Sequence, residues 1–171
     1  AFNSYPAAMM PDYKALRYIT SPNHVVSDSQ NHHPGIDNSG PFLAMNPFSS
    51  RCCQHNHGFG WPYYAEHLVL ATPDNGLAAV MYSACKAKIK VGSKGTEVTL
   101  HEQTNYPFEE AVRFTLSTFS KVRFPMYLRI PSWCKNASIK INGKQEAVTL
   151  VAGEYARIER EWTNKDEVEL M

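Results

Sequence analysis

The sequence has no excess of either charge. Lys and Arg total 17 and Asp and Glu total 16, a net charge of +1 that steers the chain toward neither nucleic acid nor an anionic membrane. It has no apolar run long enough to span a bilayer, and Leu77 to Tyr82 is typical of its short runs. The first ten residues, AFNSYPAAMM, carry no basic n-region and no long h-region, so no signal peptide is visible. There is no P-loop, no dinucleotide fingerprint and no G-x-S-x-G. Internal repeats and low-complexity tracts are missing too. The 171 residues are not Cys-dense, holding only Cys52, Cys53, Cys85 and Cys134, and two of these are adjacent, which argues against a disulfide framework. What is there suffices for a packed core: 43% of residues are hydrophobic and 19% charged, which excludes wholesale disorder. Beginning at Ala1 and ending on the strand-like EVELM, the chain reads as an excised piece of a longer protein.

The composition changes near residue 75. Residues 20–60 are rich in Pro, Gly, Asn, Ser and His, with dense punctuation at Ser21-Pro22, His33-Pro34-Gly35, Gly40-Pro41 and Asn46-Pro47. So long a loop in a compact domain is functional or incomplete. Residues 61–71 read as a helix, with Pro62 in its first turn and an apolar stripe of Trp61, Tyr64, Ala65, Leu68 and Val69. Thr72-Pro73-Asp74-Asn75-Gly76 is a stop and turn. From Leu77 onward short β runs recur, at 77–84, 86–91, 97–102, 112–117, 125–130, 138–142, 145–150, 155–160 and 167–170. Val112, Phe114 and Leu116 alternate with Arg113, Thr115 and Ser117, the pattern of a half-buried strand. Asn142-Gly143 supplies the two positive φ angles of a type I′ hairpin turn. The fold class expected is mainly β: an antiparallel β-sandwich preceded by a loop-rich segment and one or two short helices.

The chemistry concentrates in Arg51-Cys52-Cys53-Gln54-His55-Asn56-His57, which packs two thiols and two imidazoles into six residues just before the expected helix. Thiolate and imidazole are the preferred zinc ligands, and Cys52, Cys53, His55 and His57 together would close a tetrahedral site. A thiolate beside a cation or metal near a helix N-terminus is also a good nucleophile. The spacing is not that of a zinc finger, and the same residues read equally as small packing side chains and loop-lining imidazoles. His24, His32 and His33 share the loop and read as solvated; His67 and His101 read as packing or surface residues. Cys85 and Cys134 read as inert thiols at strand edges, and Glu109-Glu110, Glu159 and Glu161 as solvated faces.

Taken in order, residues 1–8 (AFNSYPAA), 51–56 (RCCQHN), 102–108 (EQTNYPF), 128–133 (LRIPSW), 141–143 (ING) and 160–170 (REWTNKDEVEL) resemble stretches of the C-terminal half of the glycoside hydrolase family 127 proteins, the β-L-arabinofuranosidase group. Ala1-Phe2-Asn3-Ser4-Tyr5-Pro6-Ala7-Ala8 looks like that family's late barrel helix. Arg51-Cys52-Cys53-Gln54-His55-Asn56 resembles its C-C-P-P-N motif, and Glu102-Gln103-Thr104-Asn105-Tyr106-Pro107-Phe108 its Q-T-x-Y-P-W turn. Leu128-Arg129-Ile130-Pro131-Ser132-Trp133 resembles L-R-I-P-x-W. Ile141-Asn142-Gly143 and Arg160-Glu161-Trp162, with Asp166-Glu167-Val168-Glu169-Leu170, complete the series. The resemblance implies that residues 1–76 are the C-terminal remnant of an (α/α)₆-barrel catalytic domain carrying the Cys-Cys motif. Residues 77–171 would be a β-sandwich domain that shores up the barrel. It implies Cys52 as nucleophile and zinc ligand, Cys53 as zinc ligand, and Asn56 as a loop-structure or substrate contact. The cofactor is then zinc, the partners a carbohydrate substrate and the upstream barrel of the same protein, and the setting periplasmic or secreted.

The departures from the family pattern are definite. Gln54-His55 replaces its Pro-Pro, so His55 or His57 would modify the site and sugar specificity would differ. No E-x-C motif precedes Cys52, and the family's remaining zinc ligands and general-acid Glu lie upstream, so these 171 residues alone are expected to be inactive. Two alternatives stand beside the enzyme fragment. One is a carbohydrate-binding sandwich using Trp133, Trp162, Tyr106 or Phe108 as an aromatic platform; the other is a free-standing Cys/His metal-binding protein. Apolar side chains left uncovered at Phe2, Met9, Met10, Phe42, Phe48 and Trp61 would favour self-association.

Overall fold

A computed structural model describes Leu16–Arg17, Leu43–Ala44 and residues 52–171, the side chains of Cys52, Cys53, Gln54, His55 and His57 falling outside the description. The chain divides into two compact units, 1–65 and 66–171. In the first, β1 (Leu16–Arg17) pairs antiparallel with β2 (Leu43–Ala44), Leu16 opposite Ala44 and Arg17 opposite Leu43. Helix α1 follows at Cys52–Glu66. Phe2, Met9, Met10, Phe42 and Phe48, the apolar side chains expected to drive self-association, lie outside the described residues, as do His24, His32 and His33.

Helix α1 starts nine residues before the expected position, so Pro62 lies inside it rather than in its first turn. There Pro62 has no amide hydrogen to offer the Gly58 carbonyl one turn back. The expected helix also ends earlier. Val69–Ala71 is a strand, β3, because its residues pair with β4 (Leu77–Ala79) across the Thr72-Pro73-Asp74-Asn75-Gly76 turn.

The second unit is a sandwich. The larger sheet contains β5 (Cys85–Val91), β6 (Thr96–Thr104), β7 (Val112–Thr118), β9 (Ile139–Ile141), β10 (Lys144–Gln145) and β12 (Glu167–Leu170), in the order β10-β9-β12-β7-β6-β5. The smaller contains β11 (Tyr155–Trp162), β8 (Val122–Arg129), β4 and β3, in that order. The pairs are antiparallel except one: β4 runs parallel to β8, with Leu77 opposite Met126. Of the strand expected at 145–150, Gln145 lies in β10 and the Glu146 amide donates to the Ile139 carbonyl at 2.8 Å; the rest leaves the sheet, although Val148 and Leu150 still pack on the core.

Period-2 patterning builds the interior. Phe114 and Leu116 from β7, Leu100 from β6, Met126 and Leu128 from β8 and Trp162 from β11 are all fully buried in one cluster between the sheets. Each such side chain contributes about 1.5–3 kcal/mol of burial. Trp162 stacks tilted on Phe124, centroids 5.8 Å apart, and its indole N–H donates to the Phe124 carbonyl at 3.0 Å, so the bulkiest core residue leaves no donor unmet. Two backbone devices fix the register. Asn142 and Gly143 take φ of 51° and 77°, the expected hairpin turn. Gly76 enters β4 so close to β8 that an added Cβ would lie 2.1 Å from the Pro125 carbonyl oxygen, and only glycine admits that approach.

Candidate active site

Cys52 and Cys53 are the first two residues of α1, and His55, Asn56 and His57 lie in its first two turns. The motif thus sits within a helix rather than ahead of one. Helix positions three and four apart adjoin, so position 52 neighbours 55 and position 53 neighbours 57. Asn56 is exposed. Among the described residues no group of three or more His, Cys, Asp or Glu is placed to hold a metal, and the side chains of Cys52, Cys53, His55 and His57 are outside that set.

The remaining motif stretches are structural ties. In Gln103-Thr104-Asn105-Tyr106-Pro107-Phe108 the Thr104 hydroxyl donates to the Ala111 carbonyl at 2.9 Å and accepts the Tyr106 amide at 3.0 Å. The Asn105 amide group donates to Glu109 at 2.9 Å, and the Tyr106–Pro107 peptide bond is cis. In Leu128-Arg129-Ile130-Pro131-Ser132-Trp133, Arg129 Nε donates to the Val80 carbonyl at 2.6 Å and the Arg129 carbonyl accepts the Tyr82 hydroxyl at 2.5 Å. Asn142 joins the last two stretches: Nδ2 donates to Asp166 at 2.8 Å, and Oδ1 accepts the Glu167 amide at 2.8 Å. Asp166 also accepts the Thr163 amide at 2.8 Å. Burial opposes its charge, but those hydrogen bonds outweigh it and hold the carboxyl below the usual Asp range.

Sequence reasoning missed the other buried acid, Glu102, which is fully buried in β6. Its Oε1 accepts the Ser83 amide at 3.0 Å, and the Cys85 thiol lies 3.9 Å from Oε2. Burial pushes this carboxyl up to about 8, against the pull of Ser83 and Cys85. Burial, with Glu102 beside it, pushes the Cys85 thiol up to about 11, consistent with an inert thiol at neutral pH. The available signal was phase: Glu102 follows Val98 and Leu100 at period 2, on the inward side of β6.

Of the candidate aromatic platform, Trp162 is core and cannot meet a ligand, whereas Trp133 is 65% and Phe108 85% exposed. Trp133 borders a narrow apolar groove also lined by Tyr82, Tyr106, Pro131 and Cys134. A polar depression of about 160 Å³ lies on the outer face of the larger sheet, among Gln103, Arg113, Thr115, Lys140 and Glu169. No helix among the described residues is long and apolar enough to cross a membrane.

With this geometry in hand, the chain can be placed among known proteins. No curated protein matches it. A solved glycoside hydrolase is similar at 27% identity and TM-score 0.78, over 99% of this chain and 27% of its own. A GH127 β-L-arabinofuranosidase from Geobacillus stearothermophilus T6 is similar at 28% identity and TM-score 0.72, over 96% of this chain and 25% of its own. A GH127 β-arabinofuranosidase shares the fold at 21% identity and TM-score 0.69, over 96% of this chain and 26% of its own. The chain therefore spans about a quarter of the length of these structures. The model of the β-L-arabinofuranosidase GH127 middle domain matches residues 76–171, more than half of the chain, and the chain belongs to that family.

Proposed function

We propose that the protein containing this chain is a retaining glycoside hydrolase acting on β-L-arabinofuranosides, and that the chain brings it the nucleophile, Cys52. The observation that carries the reading is the placement of adjacent thiols at the start of α1 in a chain whose sandwich matches the GH127 middle domain. Cys52 and Cys53 with His55 and His57 form a soft donor set whose chemistry fits zinc. Zinc, when bound, keeps a coordinated thiol ionised at neutral pH. Cys52 Sγ then attacks the anomeric carbon as the glycosidic C–O bond breaks, and the departing oxygen takes a proton from an acid outside these 171 residues. Water displaces the thiolate in the second step and returns the proton, giving net retention. The barrel upstream is the partner domain in this reading, with residues 1–76 its final segment and 77–171 the supporting sandwich. Asn56, exposed on the same helix, contacts substrate or holds the loop.

The test uses the full-length protein. Cys52→Ser should lower kcat on an aryl β-L-arabinofuranoside by roughly 10³-fold or more. Cys53→Ser should lose bound zinc by elemental analysis. Wild type with a slow substrate should gain one sugar mass on the peptide holding Cys52. The 171 residues alone should show no turnover. Activity retained in Cys52→Ser, or turnover by the 171 residues alone, would sink the reading. A carbohydrate-binding role for the sandwich is the second reading, favoured by the exposure of Trp133 and Phe108. Retardation of the sandwich in arabinan gels, abolished by Trp133→Ala, is its expected signature.

A further inference from the structure

The segment at 80–84 crosses from the smaller sheet to the larger, leaving β4 and entering β5. It is tied at each step. The Val80 amide donates to the Leu68 carbonyl at 2.8 Å, and the Val80 carbonyl accepts Arg129 Nε at 2.6 Å. The Tyr82 hydroxyl donates to the Arg129 carbonyl at 2.5 Å, and its ring meets Tyr106 and Phe114 edge-on at 6.1 and 6.2 Å. The last tie is the Ser83 amide on Glu102, at 3.0 Å. That tie is unlike the others, because its acceptor is a titratable group with no solvent exposure.

We propose that Glu102 makes this crossover a pH-operated latch, closed while the buried carboxyl is neutral and loosened when it ionises. The surroundings offer an anion little. The titratable groups that act on it are Cys85 from β5 and Tyr82 from the crossover, and Arg129 from β8 and Tyr106 from the β6–β7 turn in turn act on Tyr82. Cys85 is a weak donor at 3.9 Å, and Tyr82 has given its hydroxyl hydrogen to Arg129. The Arg129 guanidinium is engaged by the Val80 carbonyl, and among the described residues no cation forms an ion pair with Glu102. A buried carboxylate with one amide donor and no counter-charge is costly. The cheapest relief is water reaching it, and the crossover is the element whose Ser83 amide that same carboxyl holds. The consequence reaches the apolar groove beside Trp133, since Tyr82 and Tyr106 line it.

The opposing charge states follow from burial, which places ionisation of Glu102 near pH 8 in the closed form against about 4.5 when open. Between those values the closed form holds one more proton, so opening becomes easier as pH rises. The measurement is amide hydrogen exchange at Ser83 across pH 5 to 8, corrected for intrinsic rates, on the whole 171-residue chain. The Ser83 protection factor should fall by about tenfold per pH unit and stay below that of the β7 amides at every pH. In Glu102→Gln, which keeps an acceptor for Ser83 but cannot ionise, the fall should vanish. The ¹³Cδ shift of Glu102 in the wild type gives an independent readout, with a midpoint expected near 8. A flat Ser83 profile, a slope that survives Glu102→Gln, protection at Ser83 equal to that of β7, or an ordinary Glu midpoint would each overturn the latch.

Discussion

Asp166 lies in the turn between β11 and β12, where the Thr163 amide and the Asn142 amide group both donate to it at 2.8 Å. Glu102 lies in β6, where one amide donates at 3.0 Å and the nearest other donor is a thiol at 3.9 Å. They are the buried charged-type side chains among the described residues, in one sandwich, and burial penalises both. The outcomes are opposite: Asp166 is held ionised below its usual range, while Glu102 is pushed up to about 8. The difference is the number of good donors, since each hydrogen bond to a carboxylate favours its charged form. A turn has spare amides to point at a side chain; the middle of a paired strand has spent most of its own on the ladder.

The largest expected effect separates the two by pH. The folded pKa of Glu102 is raised, so its contribution is fully present below about 4.5 and lost as pH climbs to about 8, on the order of 5 kcal/mol in all. The folded pKa of Asp166 is depressed, so its contribution is present above the ordinary Asp value of 3.8 and lost as pH falls through its folded value. Urea unfolding of the wild type should show both limbs, and Glu102→Gln should remove only the alkaline one. If both limbs respond to the same substitution, the comparison fails.

Next in size is Asp166→Asn at pH 7. It turns one arm of the side chain from acceptor into donor, facing either Thr163 or Asn142. A loss of about 2–3 kcal/mol follows from an unmet buried donor and the lost charge assistance. The acid limb should flatten as well. A loss under about 0.5 kcal/mol would mean the turn is held by its backbone bonds, such as Leu116 N–H to the Asp166 carbonyl at 2.9 Å, and not by the carboxylate.

Much of this architecture was legible because alternation is local. Phe114 and Leu116 point inward and Arg113 outward because successive side chains of a strand face opposite ways, and Asn142-Gly143 announces its own turn. The start of α1 was not legible, since Gly58, Gly60 and Pro62 within it carry breaker signals, yet the helix runs through all three. Nor was the parallel β4–β8 pairing, which joins residues almost fifty positions apart. The Cys52–Cys53 pair stood out by composition alone, because two thiols and two imidazoles, all metal-ligating side chains, fall within six residues. Glu102 was hidden by its neighbours: in Glu102-Gln103-Thr104 it reads as one more polar residue of a wet turn, and only its phase with Leu100 assigns it to the core. The long-range partners of Asp166 were likewise out of sight, since Asn142 lies 24 residues away in another hairpin.

A third acid, Glu169, completes the comparison with the smallest expected effect. Its Oε1 accepts both Arg113 Nε and Nη2 at 2.9 Å across β12 and β7, a full charge pair that neither buried acid has. Geometry alone would rank it the strongest of the three. Exposure reverses the ranking: the Arg113 side chain is 63% exposed, so water already solvates much of what the pair gains, and salt screens the rest. Arg113→Ala should therefore cost only about 0.2–1 kcal/mol, and less at 1 M salt. A cost above about 2 kcal/mol, insensitive to salt, would show that the polar depression around Arg113 and Lys140 behaves as interior rather than surface. Donor count would then cease to explain the two buried acids, because a charged pair at the sheet face would be outweighing burial itself.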